Sequence, residues 1–304
     1  MLDFVQAADG LSELATAATS DAAQFEEQRM RKDEITKLVD SGLDELNDAL
    51  KKGQSDHLTR LFAVMARFTH YSFNNCLLIA QQNPDATRVL GFHGWRKLGR
   101  TVRKGEKGIG ITAPIAYRKE KTDDQSMEIR GFRVVHVFDI EQTEGDELPS
   151  FKQPTGDCNA WLERTEQLIV SKDIELRYEE LKRGCYGYSA KGKIVIQSGL
   201  SDAKRLATLL HELAHELLHQ RQVDLSESPS RTIRETEAEA VAHVVGRALG
   251  LETCEHSADY IHLHQGDSEV LAKSMQRIQK CSGQILSELM NAEPLPTESA
   301  ATPT

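Results

Sequence analysis

The sequence predicts an α+β fold in two units, and three observations carry that reading. Apolar residues recur at helical spacing in two long stretches before residue 83 and in four more after residue 156. Strand-type patterns are confined to short segments, 109–117 and 132–138 in the first half, 185–189 and 194–197 in the second. Between them, residues 142–154 carry glycine, proline and acids with no period, which places a domain boundary there. A length of 304 residues suits about two domains.

Taken in order, the first two dozen residues are rich in Ala, Ser and Thr and read as a flexible tail, 1–24. Ile35, Leu38, Val39, Leu43, Leu46 and Leu50 mark a first helix within 24–52, with Gly53 as its stop. A second helix is expected over 56–82, with Leu61, Met65, Phe68, Ser72, Asn75 and Ile79 on roughly one face and Pro84 closing it. One helical turn, 93–98, sits inside a glycine-rich basic segment. The two first-half strands follow. After the boundary come a helix near 157–170, strands 185–189 and 194–197 joined at Lys191–Lys193, and a helix capped by Ser198, Ser201 or Asp202 that runs to about Gln220. Helices over 230–249, stopped by Gly250, and 268–290 complete the pattern, and 292–304 reads as a disordered tail.

Composition narrows the function classes. The longest apolar run, Leu61–Ala66, is far short of the ~20 residues a membrane helix needs. The N-terminus Met-Leu-Asp-Phe-Val-Gln does not read as a secretory signal, so a soluble cytoplasmic protein with no membrane partner is expected. Five cysteines with no Cys-x-x-Cys pair argue against a disulfide scaffold and a cysteine zinc site. The net charge of −10 hides an asymmetry: residues 88–121 carry ten basic side chains against Glu106 and Glu120. Such a segment makes a local positive surface on an acidic protein. Aromatics near it, Tyr71, Phe92 and Trp95, offer platforms for unpaired bases, and the alternative for Phe92 and Trp95 is core packing.

The strongest chemical signal is His211-Glu212-Leu213-Ala214-His215. Positions i and i+4 share a helix face, so both imidazoles can reach one metal ion, while Glu212 points aside and can take a proton from its water. Twenty residues after His215, Glu235 and Glu239 share a face of a second helix; one can supply the third ligand and the other hold a ligand histidine. Three protein ligands plus water is the pattern of a catalytic Zn²⁺ site. His219 and His243 extend the two faces and read as packing residues.

Two resemblances follow from these residues. The C-terminal half, through Leu209-Leu210-His211-Glu212-Leu213-Ala214-His215 and the 234–242 string, resembles the zincin-type metallopeptidases related to the ImmA/IrrE group. That string is similar to the Glu-x-x-Ala-Asp/Asn pattern of zinc peptidases, which implies Glu235 as the ligand and Glu239 in the place usually held by Asp or Asn. The N-terminal half resembles the ArdC-type single-stranded-DNA-binding domain, through Tyr71-Ser72-Phe73-Asn74-Asn75, the 91–108 segment and Val137-Phe138-Asp139-Ile140-Glu141-Gln142-Thr143. Together they occur in the order of ArdC-like antirestriction proteins of mobile elements.

The resemblance implies an ArdC-type domain over 25–148 and a zincin-like metallopeptidase domain over 155–291. It also implies peptide-bond hydrolysis on an unknown protein or peptide substrate, with His211, His215 and Glu235 as ligands and Glu212 as base. The DNA contacts expected are Tyr71, Asn74, Asn75, Phe92, Trp95, Arg96, Lys97, Arg100, Arg103, Lys104 and Lys107. Strand 194–197 is expected to offer an edge to an extended peptide, and Tyr186, Tyr188, Tyr260, His262 and His264 are candidates for oxyanion stabilisation. Two rival readings remain at this point: a non-enzymatic protector with a structural zinc, and a DNA-responsive protease that cuts a repressor.

Overall fold

The computed structural model describes residues 32–52, 56–118, 127–148, 158–220, 229–251 and 267–291. The tails 1–24 and 292–304, and Tyr260, His262 and His264, lie outside the described residues. The chain divides into two units, 1–151 with 265–272, and 152–264 with 273–304. Among the described residues no helix is long and apolar enough to cross a membrane.

The first unit opens with helices α1 (Lys32–Lys51), α2 (Asp56–Arg67) and α3 (Phe73–Gln82). The single helix expected over 56–82 is two, because Ser72 caps a new start: its backbone is extended, and its hydroxyl accepts from Asn75 N at 3.4 Å. Phe68, buried, and Tyr71 fill the break with rings 5.9 Å apart, edge to face.

The main sheet has the order β1 (Val89–Gly91), β4 (Met127–Asp139), β3 (Ile109–Arg118), all antiparallel. Gly91 and Ile109 both pair with Val137, so the segment between them is closed at its base by one level of β4. The outer edge of β3 is covered by two carboxamides one heptad apart on α3. Asn75 Nδ2 donates to Thr112 O at 2.8 Å while Thr112 N donates to Asn75 Oδ1 at 2.9 Å. Gln82 makes the same pair of bonds with Gly110, each at 2.9 Å. Side-chain amides thereby take the part of a missing strand and satisfy backbone groups that an open edge would leave exposed.

Within the basic segment, helix α4 (Phe92–Lys97) leads to β2 (Arg100–Val102), which pairs with β5 (Thr143–Gly145). These short strands had no alternation to announce them. Gly145 is required at this crossing: its φ is +134°, and a Cβ there would stand 2.3 Å from Gly99 O. Asp139, buried, binds the chain on both sides, accepting from Thr87 N at 2.8 Å, Arg88 N at 2.9 Å and Glu141 N at 3.0 Å. Gln142–Gly145, read as period-free linker, is thus built into this unit.

The second unit contains α5 (Cys158–Ser171), β6 (Glu175–Glu179), β7 (Gly187–Ser189), β8 (Lys193–Gln197), α6 (Asp202–His215) and α7 (Arg231–Ala248), with α8 (Ser268–Asn291) joining it from residue 273 on. Ser201 stands at the N-cap of α6, and Glu216–Gln220 extend that helix by a π turn. The sheet order is β6-β8-β7, with β6 parallel and β7 antiparallel to β8. Strand 194–197 is therefore central and has no free edge, contrary to expectation. Its buried run Ile194-Val195-Ile196 is that of a strand covered on both faces, and the edges belong to β6 and β7.

Candidate functional site

Helix α6 buries Leu206, Leu209, Leu210 and Leu213, all with no exposed surface, and meets strand β7 at Thr208 and Glu212. That packing fixes the rotation of the helix and turns His211 and His215 toward α7. Their rings meet edge to face, with Nε2 atoms 3.1 Å apart. From α7, Glu235 Oε2 stands 3.3 Å from His215 Nε2 and 3.8 Å from His211 Nε2. Atoms bound to a tetrahedral zinc at about 2.0–2.1 Å stand about 3.3–3.4 Å from one another, so this triangle has the size of three zinc ligands. Among the described residues, these three form the group able to hold a metal ion.

Glu239 Oε2 lies 3.2 Å from His211 Nδ1, on the far side of the ring from Glu235. That position suits it to orienting the imidazole with Nε2 free to ligate. Burial opposes a charge on His211, but Glu235 and Glu239 raise its pKa to about 9. The neighbouring His211 in turn holds Glu235 down to about 2. Two carboxylates facing one imidazole make the site a cation trap.

Glu212 is buried, and burial pushes its carboxyl up to about 7 against a backbone hydrogen bond from Ser189 that lowers it. Strand β7 approaches here because residue 187 is glycine: a Cβ would stand 2.8 Å from Thr208 Cγ2 and 3.2 Å from Glu212 Cγ. The histidines, Glu212 and Glu235 open into a cleft of about 450 Å³ walled by β7 on one side and by Arg231 and Arg234. These arginines carry no signal in the sequence, although Arg231 is four residues before Glu235 and shares its face. Tyr188 lines the cleft, whereas the Tyr186 ring is covered by Lys204 Nζ at 4.1 Å. A further buried carboxylate, Glu237, is equally silent in the sequence. It accepts from Arg277 Nε at 3.1 Å and stands 3.7 Å from His219 Nε2, which gives His219 a packing role beside the site.

Residues 28–152 match the family of the N-terminal domain of anti-restriction factor ArdC, and residues 164–269 match the peptidase family of the IrrE N-terminal-like domain. The chain has the ArdC-like two-domain architecture. An uncharacterized Bacillus anthracis protein is 24% identical across a match 308 positions long that covers 85% of this chain and 51% of the relative; the chain spans about half that relative's length. A metal-free crystal structure of the antirestriction ArdC protein from the R388 plasmid is similar at 19% identity and TM-score 0.44, over 72% of this chain and 85% of that one. The Mn(II)-bound structure of the same protein gives 18%, 0.49, 84% and 98%.

Within the ArdC-type domain the structure sorts the candidate DNA contacts into three kinds. Trp95 is not available to a base. It is wholly enclosed with Val102 and Phe138, and its indole N–H donates to Phe138 O at 2.9 Å. Asn75 is spent on β3, and Tyr71 is packed on Phe68, its phenol pushed up to about 12 by burial. Arg100 is spent on β5, where its Nε donates to Thr143 Oγ1 at 2.8 Å. Phe92 is half-buried against the Trp95 cluster, with the Arg96 guanidinium 5.6 Å from its ring centre. Arg96, Lys97, Lys104 and Lys107 are at least partly exposed, as is Arg103, which pairs with Glu106 at 2.8 Å. Asn74 is half-exposed and borders a groove shared with Ser72, Thr112 and Phe132.

Proposed function

We propose that this chain is a metal-dependent peptide hydrolase carrying a single-stranded-DNA-binding domain, working in antirestriction or DNA protection for a mobile element. The observation that carries the hydrolase reading is the triangle His211–His215–Glu235 with a buried carboxyl, Glu212, beside its open side. His211, His215 and Glu235 would hold Zn²⁺, and Glu239 would keep His211 aligned. Bound there, the ion supplies Lewis acidity that brings the pKa of water toward neutral. Glu212 accepts a proton at its carboxylate oxygen and returns it to the leaving amine. Among the described residues β7 is an outer strand of its sheet and lines the cleft, so an extended peptide can pair with it as an added strand, the role first expected of 194–197.

Glu212→Gln is expected to keep the metal and the fold while peptide hydrolysis falls by ~10²–10⁴-fold, the usual contribution of a positioned proton acceptor. Turnover of a quenched-fluorescent peptide library by metal-loaded wild type and variant measures it; equal rates would remove Glu212 from the reaction. A structural zinc has no use for that carboxyl, so metal-loaded wild type with no turnover across the library favours the non-enzymatic protector.

The nucleic-acid reading is supported by the family match of residues 28–152 and by the exposed cations on the segment between β1 and β3. Replacing Arg96, Lys97, Lys104 and Lys107 with alanine should flatten the salt dependence of single-strand binding, by about 0.7 in log–log slope for each phosphate no longer neutralised. Anisotropy titrations of a labelled oligonucleotide at several salt concentrations read this directly. An unchanged slope would show that these side chains do not meet phosphates.

A further inference from the structure

Phe132 is 55% exposed, the one large hydrophobic side chain of the first unit left so open among the described residues. It borders a groove of about 320 Å³ between β4, the start of α3 and α1, shared with Val134, Arg133, Asn74, Ser72 and Ile35. A β-bulge places it: Ile115 pairs with Gly131 but Ala116 with Ile129, and the strand is re-aimed immediately before Phe132. An apolar floor, a bare aromatic face and a carboxamide-bearing residue meet at this groove, and the exposed Arg133 follows Phe132 on the strand. The Asn74 carboxamide and the Arg133 guanidinium make no hydrogen bond or ion pair among the described residues.

We propose that this groove is a nucleobase subsite for single-stranded DNA, with one unpaired base stacked on Phe132, its edge hydrogen-bonded by Asn74 and an adjoining phosphate held by Arg133. Each part answers a need of that ligand. An aromatic face takes any base, a carboxamide both donates and accepts, and a guanidinium grips phosphate. Duplex DNA is excluded because its base faces are already covered. The groove also continues the basic segment. Val137, which anchors that segment's two ends, is five residues along β4 from Phe132, about 16 Å at strand rise. A strand a few nucleotides long spans that distance. The inference rests on the single-stranded-DNA reading of this domain and names where its base recognition lies, in place of the enclosed Trp95.

The test uses the full chain and a labelled oligothymidylate. Phe132→Ala should weaken binding about ten-fold or more with an unchanged salt slope, because stacking carries no charge. Arg133→Ala should weaken it and reduce the slope by about 0.7. Phe132→Trp should retain affinity, and the fluorescence of its added indole should be quenched by the oligonucleotide but not by a duplex of the same length. Circular dichroism of each variant verifies the fold. If wild type binds the oligonucleotide and Phe132→Ala binds equally well, or the Phe132→Trp signal does not respond, the subsite is overturned while the DNA reading stands. If wild type does not bind at low salt, both fall.

Discussion

Glu235→Ala is expected to lower affinity for Zn²⁺ by more than about 100-fold, whereas Glu239→Ala should lower it by about 10–100-fold, the range for carboxylates that orient a ligand histidine. The asymmetry follows from position. Glu235 Oε2 reaches the Nε2 atoms of both histidines, while Glu239 reaches the Nδ1 side of His211. Metal content after dialysis, measured for zinc and manganese alike, and competition with a chelating dye give both affinities. Thermal melting gives an independent readout, since zinc at 100 times its Kd stabilises the native state by about 2.7 kcal/mol and that increment should vanish in Glu235→Ala. The opposite ranking, with Glu239→Ala losing the metal and Glu235→Ala keeping it, would exchange the two roles. Full retention in both would dissolve the site.

Trp95→Ala should destabilise the first unit by about 3–5 kcal/mol, as truncation of a large enclosed aromatic does. The loss combines the cavity among Val102, Phe138 and the half-buried Phe92, Leu90 and Leu98 with the lost hydrogen bond from the indole to Phe138 O. Because the chain has two units, the expected signature is one shifted denaturation transition and one unshifted, not a displaced single curve. Urea unfolding followed by far-UV circular dichroism measures it. A variant with both transitions in place and single-strand binding abolished would instead make Trp95 the stacking platform that the sequence suggested.

The two halves of the site were legible to different degrees, and the reason is the range over which each is encoded. The His211–His215 pair needs only the helical period, and the leucines around it fix which face is buried. Glu235 and Glu239 stand out as a face in the same way, but their division of labour depends on the opposing helix. Arg231 lies on that face and goes unmarked, because arginine in a first helical turn carries no local signal. On the nucleic-acid side, charge was legible and accessibility was not. Arg100 and Asn75 carry the right chemistry for DNA, yet Thr143 and Thr112 take up their hydrogen bonds. Ser72, expected in mid-helix, proved a helix start because its hydroxyl can do what a helix interior does not need.

By itself, then, the sequence determined what repeats locally: the period of the helices, the alternation of β3 and β4, the spacing of the metal ligands and the excess of positive charge between Arg88 and Lys121. Tertiary structure alone decided the rest. It put 194–197 in the middle of its sheet, with the cleft edge on β7, and turned Trp95 inward while leaving Phe132 exposed. Side-chain period states that a residue has an inner and an outer side. Which side is filled depends on partners far along the chain, as Phe138 is for Trp95 at a separation of 43 residues, and no local pattern records them.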